Sequence, residues 1–340
     1  MGQDTDADAT ASTRPGRRLL LGVVLVVAVY AVGVAFIGVR DALDALARAA
    51  WWPLLAALGL EAITLVTLGQ VHRSSAAAVR GRLRLREALN VSMSAFTVSQ
   101  TVPGGGAVAG ALIVRRLQAF GLSGPQATAS MVLTATLATV TIALLAAVGV
   151  ASAVLEAELP GIVLGGIAGL VVVLLGVVAA VVAVLRSPAV ARRVLGRLGR
   201  LHRAVATRVD GWRRSLEVVH DDPPTVGRLL RVVAWSAVNW SADIAALALV
   251  FLAIGEPVSL TVLLVGFGVS QIGAAVPVTP GGVGFVESGM VGAFVALGTP
   301  ASQAATVVVL YRVLATWLPA LAGTTMLVRP PGGEAAAAGD

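Results

Sequence analysis

The stretch Pro277-Val278-Thr279-Pro280-Gly281-Gly282-Val283-Gly284-Phe285-Val286-Glu287 interrupts a long apolar run late in the chain, and Pro103-Gly104-Gly105-Gly106 interrupts another in its first half. Proline removes a backbone donor and glycine relaxes the backbone, so each cluster breaks a helix. The arms flanking the first break, 90–102 and 107–119, are each about 13 residues long. That is too short to cross a bilayer core, which takes ~20 residues, and is the length of a re-entrant segment. The second break has arms at 258–276 and 285–298, the first of which is long enough to span. Irregular backbone at membrane depth is tolerated only where protein buries it or water reaches it. Two breaks therefore predict a protein-lined or wet interior.

The sequence around them is a membrane sequence. Of 340 residues, 57% are hydrophobic and 13% charged, against about 25% charged in soluble domains. An ordinary soluble enzyme and a disordered chain are both excluded. The net charge is +7, from 25 basic residues, all arginine, against 18 acidic ones. Without lysine there is no Schiff-base or phosphate-loop lysine, and without cysteine no thiolate chemistry or zinc–sulfur site. The three histidines, His72, His202 and His220, lie outside the apolar runs and read as solvated loop residues.

Six runs are long enough to span: 19–39, 51–71, 126–150, 161–185, 229–253 and 302–328. Arginine placement orients them. Arg14, Arg17 and Arg18 put the N-terminus in the cytoplasm, the five arginines of 72–88 put that loop there, and the arginine-rich 186–228 must be there too. Loops 151–160 and 254–257 carry only glutamates and fit outside, and Arg329 places the C-terminus inside. Segments 89–125 and 258–298 must then each begin and end on one side. The fold expected is an all-α polytopic membrane protein with about six full spans plus two re-entrant helical hairpins. The segments are a disordered cytoplasmic N-terminus (1–18), one integral membrane domain (19–328) and a disordered tail (329–340).

The two breaks match each other. At a fixed offset of 177, Pro103, Gly104 and Gly105 fall on Pro280, Gly281 and Gly282, and Ala119, Gly121, Gln126 and Ala127 fall on Ala296, Gly298, Gln303 and Ala304. Ser99-Gln100 matches Ser270-Gln271 with a gap. The repeating unit is span, hairpin, span, over 51–150 and 229–328. The first unit starts outside to inside and the second inside to outside, so the repeat is inverted. In secondary transporters such broken helices meet at the substrate site.

Each break precedes a helix whose free N–H groups and positive dipole end suit an anion such as phosphate, although Pro-Gly-Gly also makes a plain tight turn. Few ionisable residues fall inside the apolar runs: Glu61, Asp243, Glu287, Arg312 and, at a hairpin end, Arg115-Arg116. Such charges are costly and are usually paired or functional. Glu287 either caps its helix, binds a cationic headgroup or takes a proton. Arg312, beside Tyr311, either pairs with Glu287 or holds a lipid phosphate. Asp243, with Asn239 and Trp240, is assigned to the same cavity, and Glu61 is read as the partner of an arginine. Arg115 and Arg116 snorkel to cytoplasmic headgroups. No two carboxylates show the spacing of an acid pair. Segment 186–228 repeats Val190, Val194, Leu198, Leu201 and Val205 at helical spacing among arginines, which reads as an amphipathic helix on anionic lipid rather than a nucleic-acid site.

The run Val278-Thr279-Pro280-Gly281-Gly282-Val283-Gly284-Phe285-Val286-Glu287, followed by Tyr311-Arg312 and Trp317-Leu318-Pro319, resembles the C-terminal motifs of the flippase-like, or lysylphosphatidylglycerol synthase transmembrane-region, family. That family is related to the membrane domain of the multiple peptide resistance factor. Pro103-Gly104-Gly105 with Arg115, Leu122 and Ser123 is similar to its first-half motif, and the likeness covers about 19–328. Where members often carry a charge after the first hairpin, this chain reads Val132-Leu133-Thr134-Ala135-Thr136. The resemblance implies a protein of the bacterial inner membrane that moves or presents lipids; some relatives couple this to an aminoacyl-transferase domain, for which the 340 residues are expected to leave no room. The expected activity is translocation of an anionic or aminoacylated phospholipid or a polyprenyl-phosphate-linked lipid. The alternative is a scaffold for a separate glycosyl- or aminoacyl-transferase. No enzyme activity, cofactor or metal is expected. The partners expected are membrane phospholipids, with self-association left open. The candidate substrate-contacting residues are Pro103, Gly104, Gly105, Pro280, Gly281, Gly282, Gly284, Glu287, Arg312, Tyr311, Asp243 and Arg115.

Overall fold

A computed structural model of the protein describes residues 49–156, 220–275 and 279–328, with Ala47 and isolated positions between 165 and 217. Nearly all of the expected spans 19–39 and 161–185, the termini 1–18 and 329–340, and most of the surface helix at 186–228 lie outside the described residues. What is described is helical throughout: α1 (Trp51–Ala78), α2 (Leu85–Thr101), α3 (Gly105–Ala119), α4 (Gly124–Glu156), α5 (Val226–Ala253), α6 (Leu260–Ala275), a single 3-10 turn (Pro280–Gly282), α7 (Phe285–Ala296), α8 (Ala301–Arg312), a π-turn (Val313–Trp317) and α9 (Leu318–Val328). Among the described residues four stretches are long and apolar enough to cross a membrane: Trp51–Ala78, Gly124–Gly149, Val226–Ala253 and Ala301–Leu327. On α1, Trp51, Trp52, Leu55, Leu58, Ile63 and Val66 are exposed, an apolar face that suits lipid rather than water. α6 has 16 residues, shorter than the expected arm at 258–276 and short of a full span.

Both breaks fall where proline and glycine put them. α2 ends at Thr101, and Val102, which precedes Pro103, is extended at φ −112° and ψ 132°. Gly104 then takes the left-handed region at φ 65°, and α3 starts at Gly105. A side chain at Gly105 would meet the carbonyl oxygens of Val98 and Ser99 at 2.6 and 2.7 Å, so α3 folds back tightly on the end of α2. In the second break Gly281 is left-handed at φ 58°. α6 and α7 pack against each other as α2 and α3 do.

Local geometry recurs along the chain at the offset seen in the sequence. Leu122 N–H donates to the Leu117 carbonyl, and Thr299 N–H to that of Phe294; Ala127 N–H donates to the Ser123 carbonyl, and Ala304 N–H to that of Pro300. Gln126 Nε2 donates to the Val79 carbonyl at 3.1 Å, while Gln303 Nε2 donates to the Glu256 carboxyl, again 177 residues on at both ends. α1 and α5 run antiparallel. Ala50 N–H donates to the Ala253 carbonyl at 2.8 Å, Asn239 Nδ2 reaches the Thr64 carbonyl at 2.7 Å, and Val71 packs with Val232. The hairpins cross over, with α2 packing on α9 and α6 on α4. Each crossing is close at a glycine: Gly323 lies against Met93 and Thr97, and Gly149 against Leu264. The largest buried cluster gathers Leu247, Phe251, Phe267, Met290, Phe294 and Val307 from α5 to α8.

One assignment from sequence is corrected. His72 is buried, not a solvated loop residue, because α1 continues two turns past the expected end of the span at 71. The arginine loop there is correspondingly shorter, and Arg80 closes it with an ion pair to Asp222, its Nη2 at 2.7 Å from Oδ1.

Gly323→Leu should separate α2 from α9, since a Cβ would meet Thr97 Oγ1 at 2.2 Å and the Met93 carbonyl at 2.8 Å. We expect a loss of roughly 1–3 kcal/mol, read as a lower Tm in detergent. Gly292→Ala is the control. It sits exposed in α7 with nothing within 4 Å, and should hold or raise Tm.

Candidate functional site

Arg312 is the last residue of α8, immediately before the π-turn. It is buried, and each guanidinium nitrogen has a partner: Nε donates to Glu287 Oε1 at 2.8 Å, Nη1 to Thr316 Oγ1 at 3.1 Å and Nη2 to the Gly281 carbonyl at 3.1 Å. Its plane also lies 5.8 Å from the centroid of the Trp317 ring. Thr316, four positions on, shares the Arg312 face, and the extra residue of the π-turn brings Trp317, five positions on, round to the same side. Glu287 carries one of the roles offered for it, the cap, and one offered for Arg312, the ion pair. Oε2 accepts the Gly284 N–H at 2.7 Å, capping α7, while Oε1 pairs with Arg312. The positive end of α7 is therefore already occupied by the protein's own carboxylate. At the start of α3 no side chain caps the helix and no acid stands in the first turn.

The tips of the two hairpins meet. An added Cβ at Gly281 would lie 2.2 Å from Gln100 Oε1 and 3.2 Å from the Gln100 carbonyl, so Gln100, three residues before the first break, rests on the second. Gln100 Oε1 is buried there and accepts no hydrogen bond. Gly281, Glu287 and Arg312 form one cluster with Gln100. Pro280 and Gly282 are buried within the turn, and Gly284 is exposed at the foot of α7. Pro103 is exposed at the other tip, Gly104 half-buried and Gly105 buried.

A second cluster adjoins the first through the neighbouring residue. The Tyr311 hydroxyl donates to Asp243 Oδ1 at 2.6 Å. The Asp243 carboxyl in turn lies beside that of Glu61. Two expectations are corrected here. Glu61 faces a carboxyl and Thr64 rather than an arginine, and an acid pair does exist. Sequence spacing could not disclose it because its members come from α1 and α5, on different units. Asn239 and Trp240 do not join the glycine turns. Asn239 clamps α5 to α1 through Thr64 and Thr67, and Trp240 Nε1 donates to the Ala138 carbonyl of α4 at 3.3 Å. Arg115 is exposed and stands apart from both clusters. Its neighbour Arg116 is the buried one, its Nη1 donating to Asn90 Oδ1 of α2. Among the described residues no group of three or more His, Asp or Glu converges to hold a metal.

Breaking a buried ion pair from one side strands a charge, at a cost of about 3–5 kcal/mol. Arg312→Met alone and Glu287→Gln alone should each lower Tm strongly. The double variant should lose clearly less than the two together, and a strictly additive loss would show that the pair is not coupled.

Comparison with known proteins agrees that this is a membrane protein. A membrane protein of Pyrococcus horikoshii classed as UPF0104 is 32% identical over 103 residues, and that stretch is 30% of each chain. The chain thus spans under a third of the length of that relative in the matched region. The family model described as the lysylphosphatidylglycerol synthase TM region matches residues 19–323. That span takes in both broken hairpins, both buried clusters and every helix but the end of α9, and on it the chain belongs to the lysylphosphatidylglycerol synthase transmembrane-region family.

Proposed function

We propose that the protein translocates lipids, carrying an anionic or aminoacylated phospholipid, or a polyprenyl-phosphate-linked lipid, across the bacterial inner membrane. The observation that carries this reading is the meeting of the two hairpin tips, Gln100 on Gly281, in front of the buried Arg312–Glu287 pair. Moving a headgroup through hydrocarbon requires polar groups at depth that replace its water, and paired broken helices supply them. In this reading α2–α3 and α6–α7 are re-entrant, and their helices of 17, 15, 16 and 12 residues suit that better than crossing. With the segments outside the described residues, six full spans result, and both termini are cytoplasmic.

The headgroup phosphate is assigned to the uncapped start of α3, at Gly104-Gly105-Gly106. There N–H groups are available and no carboxylate competes. Arg312 is held in reserve by Glu287, and a phosphate arriving at the tip competes with Glu287 for it. The chain acts here as a transporter without covalent chemistry, and its partners are the phospholipids themselves.

Reconstitution tests this. Vesicles containing the protein should move labelled anionic lipid between leaflets faster than empty vesicles. Gly106 is exposed, and a Cβ there meets nothing within 4 Å. Gly106→Leu should therefore keep Tm and slow lipid movement at least tenfold. No acceleration for any of several headgroups would overturn the reading and favour a scaffold for a separate transferase.

A further inference from the structure

The Glu61–Asp243 pair is one hydrogen short. Asp243 Oδ1 accepts from Tyr311. The Thr64 hydroxyl is shared between the Glu61 carbonyl at 2.7 Å and Glu61 Oε2 at 3.1 Å. Glu61 Oε1 receives nothing, although the residue is only 3% exposed and its carboxyl faces Asp243. Ionised carboxyls only accept hydrogen bonds, and two in contact repel.

Among the described residues no side chain nearby supplies the missing donor. Arg312 faces Tyr311, but its nitrogens are committed to Glu287, Thr316 and the Gly281 carbonyl. α4 carries no ionisable residue from Gly124 to Val150, α6 carries none, and α2 has only Arg86 and Glu87 in its first turn. His72, on α1 itself, is eleven residues further along, ~16 Å at the helical rise.

The pair is also central. Glu61 lies ten residues from the start of α1 and Asp243 ten from the end of the antiparallel α5. Each is thus ~15 Å along its helix, halfway through a ~30 Å hydrocarbon core.

We infer that Glu61 and Asp243 together bind one proton at mid-membrane, one carboxyl from each unit, and that its loading and release drive the movement of one unit against the other. With the proton in place the carboxyls share it and α1 stays closed on α5. Without it two like charges meet across that contact and push it open. Tyr311 links the pair to Arg312, and Arg312 to the Gly281 turn, so the proton site and the hairpin tips move as one. This coupling rests on the translocation reading; the proton site itself does not.

The test has two arms. Infrared difference spectra of the purified full chain, titrated through pH, should show a buried protonated-carboxyl band that is lost in both Glu61→Gln and Asp243→Asn. Tyr311→Phe, which keeps the packing, should retain the band and move its titration midpoint. A band unchanged in both acid variants, or one that responds to sodium rather than pH, would overturn the proton site. In vesicles, one proton per lipid makes a one-unit pH gradient bias the leaflet ratio about tenfold. Wild type should show this bias. The two acid variants, in which two like charges can no longer meet, should lose both the bias and most of the lipid movement. Lipid movement indifferent to pH in wild type would overturn the coupling. A pH-dependent band in a protein that moves no lipid would sustain the proton site and remove the translocation reading instead.

Discussion

A guanidinium buried in an apolar protein must have every donor satisfied, and Arg312 meets that constraint by drawing three parts of the chain together. It takes the carbonyl of the glycine turn, the carboxylate that caps the following helix and the hydroxyl of its own π-turn. Remove it and the Gly281 carbonyl, the Glu287 carboxylate and the Thr316 hydroxyl each lose a partner where water is scarce. The second break is tolerated because its polar groups are paired inside the protein.

The two halves share a scaffold but not a site. Their turns, their terminal glutamine contacts and their hairpins repeat at one offset. At that offset Ala135 stands where Arg312 would be, and Thr134 where Tyr311 would be. The charge has been kept in one half only. The start of α3 is uncapped, whereas the start of α7 is filled by Glu287. A two-fold scaffold carrying an asymmetric polar centre can favour different partners from its two sides.

Much of this was legible in the residues. Pro103-Gly104-Gly105 and Pro280-Gly281-Gly282 located both breaks because proline and left-handed glycine act locally, through the backbone of one or two residues. The helix ends followed within a few positions. Glu287 as a cap was legible for the same reason, lying three residues past Gly284. His72 was misjudged because a helix does not end where its hydropathy falls. The side of α1 holding His72, Ser74 and Ser75 is covered by protein, so polar residues there neither face lipid nor end the helix. The distinction between Arg115 and Arg116 depends on which face of α3 turns to α2, and a pair of adjacent arginines carries no sign of that.

Sequence alone determined that the chain is a helical membrane protein, where its helices break, and that the breaks are related by a repeat. Each of these follows from local backbone chemistry or from the cost of apolar surface in water. Tertiary structure alone decided which polar groups meet across long stretches of chain: Gln100 with Gly281, and Glu61 with Asp243 across the two units. Those pairings depend on the register of antiparallel helices far apart in the chain, and no short-range spacing encodes that register.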